Sequence, residues 1–252
     1  MKKTLLIATT LTPLFLMSMA NAALTEAPIG SGGSGSLTIS GSFVDTTPLW
    51  GWEIPAETIA AAQDWTIDKT EGTVYDSNTL FDFSSKGTLY ILDGKTQKVV
   101  DGKKSIIPRI AVGGTAIPEG APYGVQINAL GKNGENGVLT FNVFKASAMA
   151  FKLPGNETAN LAYLDTSLEI KQRIKAAMIA QTIVLGDITT AEGAVSSAAI
   201  ESILSATAPE SPVISWLASV TSVSVNHIRL KFPSASIPSS WTASLPITVT
   251  IS

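Results

Sequence analysis

Apolar and polar residues alternate strictly in two segments, one near the start of the sequence and one at its end. In GSLTISGSF, residues 35–43, every second position is apolar or glycine and the positions between are Ser or Thr. In ASLPITVTIS, residues 243–252, the apolar positions again recur every second residue. A period of two is typical of a strand with one buried face, so both segments are predicted strands. The buried positions are expected to be Leu37, Ile39, Gly41 and Phe43 in the first strand and Leu245, Ile247, Val249 and Ile251 in the second.

The middle of the chain also has β character, which indicates a turn-rich sheet protein. Strands are predicted in residues 87–92, 105–112, 123–130, 137–144 and 223–232. Residues 123–130 and 137–144 flank GKNGEN, whose Asn133-Gly134 pair favours positive φ and predicts a hairpin. Pro108 lies inside the run SIIPRIAV, which predicts a sheet edge or a bulge.

Alanine-rich residues 146–216 interrupt this pattern and predict helices. The sequences TSLE at 166–169 and TTAE at 189–192 have capping-box form, and each precedes apolar residues at helical spacing. Ser211-Pro212 predicts a third short helix that runs through Leu217. Since the β pattern resumes afterwards, residues 146–216 are interpreted as a helical insertion in one β domain over residues 44–252.

Residues 1–22 have the features of a secretory signal peptide. Lys2 and Lys3 precede an apolar run over residues 5–17, and Ala20-Asn21-Ala22 supplies a small-x-small cleavage site. The alternative, a transmembrane anchor, requires roughly 20 apolar residues, and Pro13 interrupts this shorter run. Residues 23–36 are rich in Gly and Ser and predict a flexible arm. Their GSGGSG sequence lacks the preceding strand and following helix that a dinucleotide site requires.

Composition excludes several classes of function. The 252 residues include no Cys and one His, and the net charge is −3. A disulfide scaffold, a thiolate metal site and a multi-histidine metal site are therefore excluded, and a nucleic-acid partner is not expected. His227 lies where the apolar phase of its predicted strand shifts by one residue, which favours a β-bulge over a general base. No nucleophile motif is present, so no catalytic residue, cofactor or metal ligand is assigned, although two carboxylates brought together by folding would leave a glycosidase open.

The two alternating terminal segments suggest a joint between subunits. A domain that ends one strand short exposes a groove beside its last strand, and an extended segment of another subunit fills such a groove by β-augmentation. Gly41 would then supply the small residue where the groove is narrowest.

Several segments together resemble one known family. GSLTISGSF, LWGWEIP at Leu49–Pro55, LYILDGKTQ followed by IIPRIAV, and the terminal SWTASLPITVTIS are similar to FaeG-like subunits of chaperone–usher fimbriae, the kappa class of enterotoxigenic enterobacteria. The resemblance implies a mainly β, immunoglobulin-like sandwich that lacks its last strand and carries a helical insertion. Two departures, a longer glycine-rich arm and Ser252 in place of an often aromatic end, leave the choice between major and minor subunit open.

The resemblance also implies partners and a location. A periplasmic chaperone would first fill the groove along Leu245, Ile247, Val249 and Ile251. At an outer-membrane usher, the donor face of the next subunit, Leu37, Ile39, Gly41 and Phe43, would replace the chaperone in a cell-surface fimbrium. A host glycoconjugate is a further expected partner, with its site in the 146–216 insertion and its contacting residues unknown.

Two alternatives to the fimbrial subunit remain at this stage, namely a secreted carbohydrate-active enzyme on a β scaffold and a secreted binding module that does not polymerise. The tryptophans are relevant to both, because an exposed indole stacks on sugars, but isolated tryptophans are more often core residues. They are Trp50, Trp52, Trp65, Trp216 and Trp241.

Overall fold

The computed structural model describes residues 50–63, 65–99, 108–152, 155, 159–164, 166–185, 189–195 and 216–251. The predicted signal peptide, the arm and the donor positions Leu37, Ile39, Gly41 and Phe43 lie outside the described residues, and so does the GSGGSG sequence.

The described residues are mainly β, as the sequence predicts. The strands are β1 Trp50–Glu53, β2 Thr73–Tyr75, β3 Asn78–Asp82, β4 Leu89–Thr96, β5 Pro108–Val112, β6 Thr115–Ala116, β7 Tyr123–Gly131, β8 Asn136–Lys152, β9 Ala159–Leu164, β10 Thr189–Val195, β11 Trp216–Pro233, β12 Trp241–Ala243 and β13 Ile247–Ile251. The helices are α1 Ala56–Ala61 and α2 Leu168–Val184, with single 3₁₀ turns at Lys69–Glu71, Ser84–Lys86 and Ser234–Ser236. None of the described helices is long and apolar enough to cross a membrane.

The strands form a large sheet of ten strands and a small sheet of three. The central path of the large sheet is β1-β4-β11-β8-β7-β12, and the small sheet has the order β13-β5-β6. All pairings are antiparallel except that of β9 with β10.

The two longest strands, β8 and β11, pair with each other and change their outer partners halfway along. The first half of β8 pairs with β7, and residues 148–151 pair with β9. The first half of β11 pairs with β4, and residues 229–233 pair with β3. Because the outer partners change, the same two strands pass through two separate hydrophobic cores.

The proximal core lies between the small sheet and the half of the large sheet formed by β3, β7 and the adjoining parts of β8 and β11. Ile110 and Val112 of the small sheet are buried against Phe141, Val143 and Phe232 of the large one. This packing of two sheets is the sandwich that the sequence predicts.

The distal core lies between helix α2 and the other half of β8 and β11. Ile170, Ile174 and Met178 face the sheet at helical spacing and are buried against it. The helix predicted from TSLE is therefore confirmed, although its N-cap is Ser167 and no side chain caps it.

Polar contacts also attach α2 to the sheet. Arg173 forms ion pairs with Asp93 and, at 3.5 Å, with Glu57, and its guanidinium lies 3.9 Å from the centre of the Tyr90 ring. The Tyr90 hydroxyl donates a hydrogen bond of 3.0 Å to Glu169. Burial and this hydrogen bond raise the pKa of Tyr90 to about 12, so the hydroxyl stays protonated and keeps its donor role.

The helical insertion is smaller than predicted, because residues 146–152 are the end of β8. Residues 145–150 are all buried, and three of them are alanines. A strand covered on both faces needs no alternation of apolar and polar residues. Small residues also let neighbouring elements approach closely, so the alanine run that suggested helix is a buried strand.

The second predicted helix is wrong where the structure describes it. Residues 189–195, which include the TTAE sequence, form β10 and pair in parallel with β9. Tertiary pairing with a neighbouring strand outweighs a local capping signal, which is worth only about 1 kcal/mol. The third predicted helix cannot reach Leu217, because Leu217 is a buried residue of β11; residues 211–215 lie outside the described part.

Three local predictions are confirmed. The 123–130 and 137–144 segments form the β7–β8 hairpin, with Gly134 at φ 90°. Pro108 begins β5 at a point where, within the described residues, β13 is the single partner strand. His227 lies in a bulge, since the pairing of β11 with β8 shifts between Asn226 and Arg229, and it has a φ of 51°.

Candidate functional site

The C-terminal strand β13 forms one side of the small sheet. The predicted alternation of burial is confirmed from Leu245 to Ile251: the apolar residues are half-buried, and Thr248 and Thr250 are exposed. The predicted strand 243–252 is too long, however, because Ala243 ends β12, which pairs with β7, and Leu245 precedes β13. Leu245, Ile247 and Val249 pack against the proximal core. The strand therefore lays one apolar face on the core and turns its polar face to solvent.

One long edge of β13 has no strand partner in the part of the chain that the structure describes. The other edge pairs with β5 from Ile247 opposite Val112 to Ile251 opposite Pro108. The N–H of Gly113 donates a further hydrogen bond of 2.9 Å to the carbonyl of Pro246, which fixes the start of β13. An edge of this kind presents a row of backbone donors and acceptors to any added strand.

A buried ion pair lies where the small sheet meets the large one. Lys145 Nζ is 3.3 Å from Glu119 Oε2, and the two side chains are 8% and 2% exposed. Lys145 also donates a hydrogen bond of 3.1 Å to the carbonyl of Pro108. Ser147 donates one of 3.1 Å to Glu119 Oε2 and shares one of 2.8 Å with Thr221.

These groups form a polar seam between the two cores, which we define as Glu119, Lys145, Ser147 and Thr221. Burial raises the pKa of Glu119, against the opposing effect of the Lys145 charge and the Ser147 hydroxyl. The second carboxylate oxygen, Oε1, is buried without a hydrogen-bond partner among the described residues. The seam was not predicted from the sequence. Its signal is Lys145 itself, which follows Leu139, Phe141 and Val143 at alternate positions and so occupies an inward-facing place.

The tryptophans divide between core and surface roles. Trp50 is buried and stacks on Trp52 with ring centres 5.0 Å apart. Trp65 and Trp241 are half-buried, pack together with Phe83 and line a cavity of about 630 Å³. Trp216 begins β11.

A second cavity, of about 330 Å³, lies between α2 and the large sheet. Trp52, Asp93 and Arg173 line it, together with the exposed side chains of Lys95 and Gln97. Asp93 accepts a hydrogen bond of 2.7 Å from Ser222 and pairs with Arg173, so the polar groups of the wall are held in fixed positions.

The described residues give no sign of a catalytic centre. Among them no three His, Asp or Glu side chains are placed to hold a metal ion. His227 is exposed, and its Nδ1 lies 2.9 Å from the side-chain oxygen of its neighbour Asn226. Its position in the bulge accounts for it without a role as a general base.

These observations define the class of protein as a mainly β domain of the incomplete immunoglobulin-like type, with one helix inserted between its strands. The family model described as "Fimbrial, major and minor subunit" matches residues 1–252. The chain therefore belongs to the fimbrial major and minor subunit family. It is a structural subunit of surface fimbriae and not an enzyme, so the carbohydrate-active enzyme is ruled out. No curated protein matches the chain.

Proposed function

We propose that this fimbrial subunit polymerises by donor-strand exchange, with the unpaired edge of β13 as the acceptor. The observation that carries the proposal is this edge, beside which Leu245, Ile247 and Val249 pack against the proximal core and Ile251 is half-buried. The donor is the segment 35–43 of a neighbouring subunit, whose alternating pattern matches that of β13. Backbone hydrogen bonds provide affinity in such a complex, and alternate side chains provide the register.

The donor residues supply enough apolar surface for a stable joint. Full burial of a large aliphatic or aromatic side chain stabilises by roughly 1.5–3 kcal/mol, so Leu37, Ile39 and Phe43 together contribute up to about 5–9 kcal/mol before entropy costs. Gly41 adds no side chain and suits a narrow point in the groove.

A free edge needs temporary cover before the joint forms. An unpaired strand next to half-buried apolar residues is a site for aggregation. A periplasmic chaperone that lends a strand to β13, and an outer-membrane usher at which the next subunit replaces it, meet this need. We therefore propose a periplasmic chaperone and an outer-membrane usher as partners of this subunit.

The test uses matched substitutions on the two faces of each strand. We expect Ile39→Asp to abolish fibres while the subunit still forms a complex with its chaperone, because the donor face is lost and the acceptor edge is intact. Val249→Asp is expected to abolish both, because it places a charge beside the core. The controls Ser40→Asp and Thr250→Asp change the solvent faces and are expected to leave fibres unchanged. Electron microscopy and chaperone co-purification provide the readouts, and normal fibres from Ile39→Asp would contradict the proposal.

A second function, binding of a host glycan, is favoured by the 330 Å³ cavity beside α2. A carboxylate, a guanidinium, an ammonium group and an amide around one cavity are groups that bind the hydroxyls of a sugar ring, and the Trp52 side chain lies beside them. The helix lies within the 146–216 segment, where a receptor site is expected from the sequence.

Two exposed lining residues allow a test that spares the fold. We expect Lys95→Ala/Gln97→Ala to lower adhesion of assembled fimbriae to a glycan array at least tenfold. Lys98→Ala, on an exposed residue just beyond the cavity, serves as the control. Undiminished adhesion of the double variant would place the receptor site elsewhere.

A further inference from the structure

We propose that the buried Glu119–Lys145 ion pair positions the small sheet on the large one, and that it thereby sets the geometry of the β13 edge. The inference rests on the proposed function only in giving that edge a role in assembly. The positioning itself follows from the contacts of the pair.

The first step is the location of Lys145. It belongs to β8, the strand that runs through both cores, and its side chain turns inward in line with Phe141 and Val143. Its ammonium group reaches across to the carbonyl of Pro108, the first residue of β5. The hydrogen bond therefore joins a strand of the large sheet to a strand of the small one.

The second step is the location of Pro108 in the small sheet. Pro108 lies opposite Ile251, the last described residue of β13. Fixing the carbonyl of Pro108 therefore fixes the end of β5 against which β13 is registered. Three residues connect the Lys145 hydrogen bond to the acceptor edge: Lys145, Pro108 and Ile251.

The backbone around Glu119, on the other side of the ion pair, is joined to both sheets. Glu119 and Lys145 form a bridge between their backbones, and the N–H of Gly120 donates a hydrogen bond of 2.9 Å to the carbonyl of Lys145. The N–H of Ile117, two residues before Glu119, donates a hydrogen bond of 2.9 Å to the carbonyl of Ile110 in β5. The segment 117–120 thus holds β5 at its middle residue, Ile110, while the Lys145 side chain holds it at its first residue, Pro108.

A contribution to stability does not by itself account for the buried Glu119–Lys145 ion pair. Moving two charges out of water costs several kcal/mol each, and well-packed apolar residues of similar volume often serve a core equally well or better. A buried pair that joins two sheets by directional bonds, with Oε1 of Glu119 left unpartnered among the described residues, is suited to fixing position.

Hydrogen–deuterium exchange on fibres assembled from the full chain tests the inference. The variant Glu119→Leu/Lys145→Met removes both charges and keeps the side-chain volume, so the subunit is expected to remain folded. We expect peptides that cover 108–112 and 247–251 to exchange about tenfold faster, since 108–112 loses the hydrogen bond to the Pro108 carbonyl and 247–251 pairs with that strand. Peptides from 168–184, in helix α2, are expected to keep the wild-type rate.

The control Asp82→Asn/Arg229→Gln removes an exposed ion pair of the large sheet, 50% and 52% exposed, and is expected to change neither region. The milder Ser147→Ala removes one hydrogen bond to Glu119 and gives a second measurement if the double variant fails to assemble. We expect Ser147→Ala to accelerate exchange roughly two- to threefold, and only in the same peptides. This acceleration corresponds to a fraction of the free energy that one hydrogen bond contributes.

Two results would overturn the inference: exchange that is unchanged in the small sheet, or exchange that rises equally in both cores. Either would make the pair a general contributor to stability. The two proposals fail separately. Normal fibres from Ile39→Asp would contradict donor-strand exchange, whereas the positioning role is read from the exchange of the small sheet in wild-type and Glu119→Leu/Lys145→Met fibres, in whichever way those fibres are joined.

Discussion

At the scale of single residues, the polar seam makes stability depend on pH in an unusual direction for a carboxylate. Burial raises the pKa of Glu119 above its ordinary value of 4.5, so the folded chain binds this proton more tightly than the unfolded chain. The stability from this group is complete below pH 4.5 and is lost as the pH rises through its pKa in the folded state. Exposed carboxylates such as Asp82, whose pKa is lowered by its hydrogen bonds to Ser84, act in the opposite direction.

The difference in stability between the wild type and one variant isolates the pH-dependent contribution of Glu119. We expect the free energy of unfolding of the wild type, minus that of Glu119→Gln, to decrease as the pH rises above 4.5, because glutamine does not titrate. Denaturant unfolding at a series of pH values measures the difference. A difference that stays constant or increases with pH would show that burial does not raise the pKa of Glu119 in the folded chain.

Gly94 is a residue whose role becomes clear only in the folded chain. The Asp93-Gly94 pair has the form of a turn, yet both residues lie within β4. A Cβ on Gly94 would lie 2.0 Å from the Trp52 ring, so the glycine is required for the indole to lie flat on the strand.

We therefore expect Gly94→Ala to lower the free energy of unfolding by about 1–3 kcal/mol, the usual cost of overpacking. Gly124→Ala is the matched control, because a Cβ there has no atom within 4 Å. Thermal unfolding of the two variants provides the comparison, and an equal effect at both positions would argue against close packing as the cause.

At the scale of elements, periodicity predicted the strands that have one exposed face and failed at the covered end of β8 and at β10. Residues of β13 and of the β7–β8 hairpin alternate between core and solvent, so the apolar positions in their sequences identify the buried face. The alanines of residues 146–150 and the TTAE sequence of β10 show no such alternation, because contacts with neighbouring elements determine their structure. The strand β13, whose free edge is the proposed acceptor, was predictable from its alternation, whereas the Glu119–Lys145 pair depends on two residues 26 positions apart that only folding brings together.

The attachment of α2 gives a prediction at this scale. Arg173 joins the helix to Asp93 of β4 and to Glu57 of α1, and its side chain is 28% exposed. We expect Arg173→Ala to lower the free energy of unfolding by about 1 kcal/mol, since partial exposure weakens ion pairs, and to increase exchange of the α2 amides most. Gln172→Ala, on the exposed face of the same helix, is the control. Uniform exchange across the domain would contradict a local role.

At the scale of the whole molecule, two cores share two long strands and are separated by a polar seam. Substitutions far apart and without shared partners add in free energy. We expect Met178→Ala in the distal core to cost about 2–5 kcal/mol and Ile110→Val in the proximal core about 0.5–1.5 kcal/mol. Their combination should equal the sum within about 0.5 kcal/mol. Denaturant unfolding of the three variants measures this, and a coupling above 1 kcal/mol would mean that the seam transmits packing changes.

The separation of the cores has a consequence for how such a protein can diversify. A subunit of a surface fimbria has an outer surface, and it must also fit its neighbours in the fibre. Two separate cores allow the residues around α2 to change while those beneath β13 stay the same. One lineage of fibres could thus acquire new outer surfaces without altering the joint that holds them together.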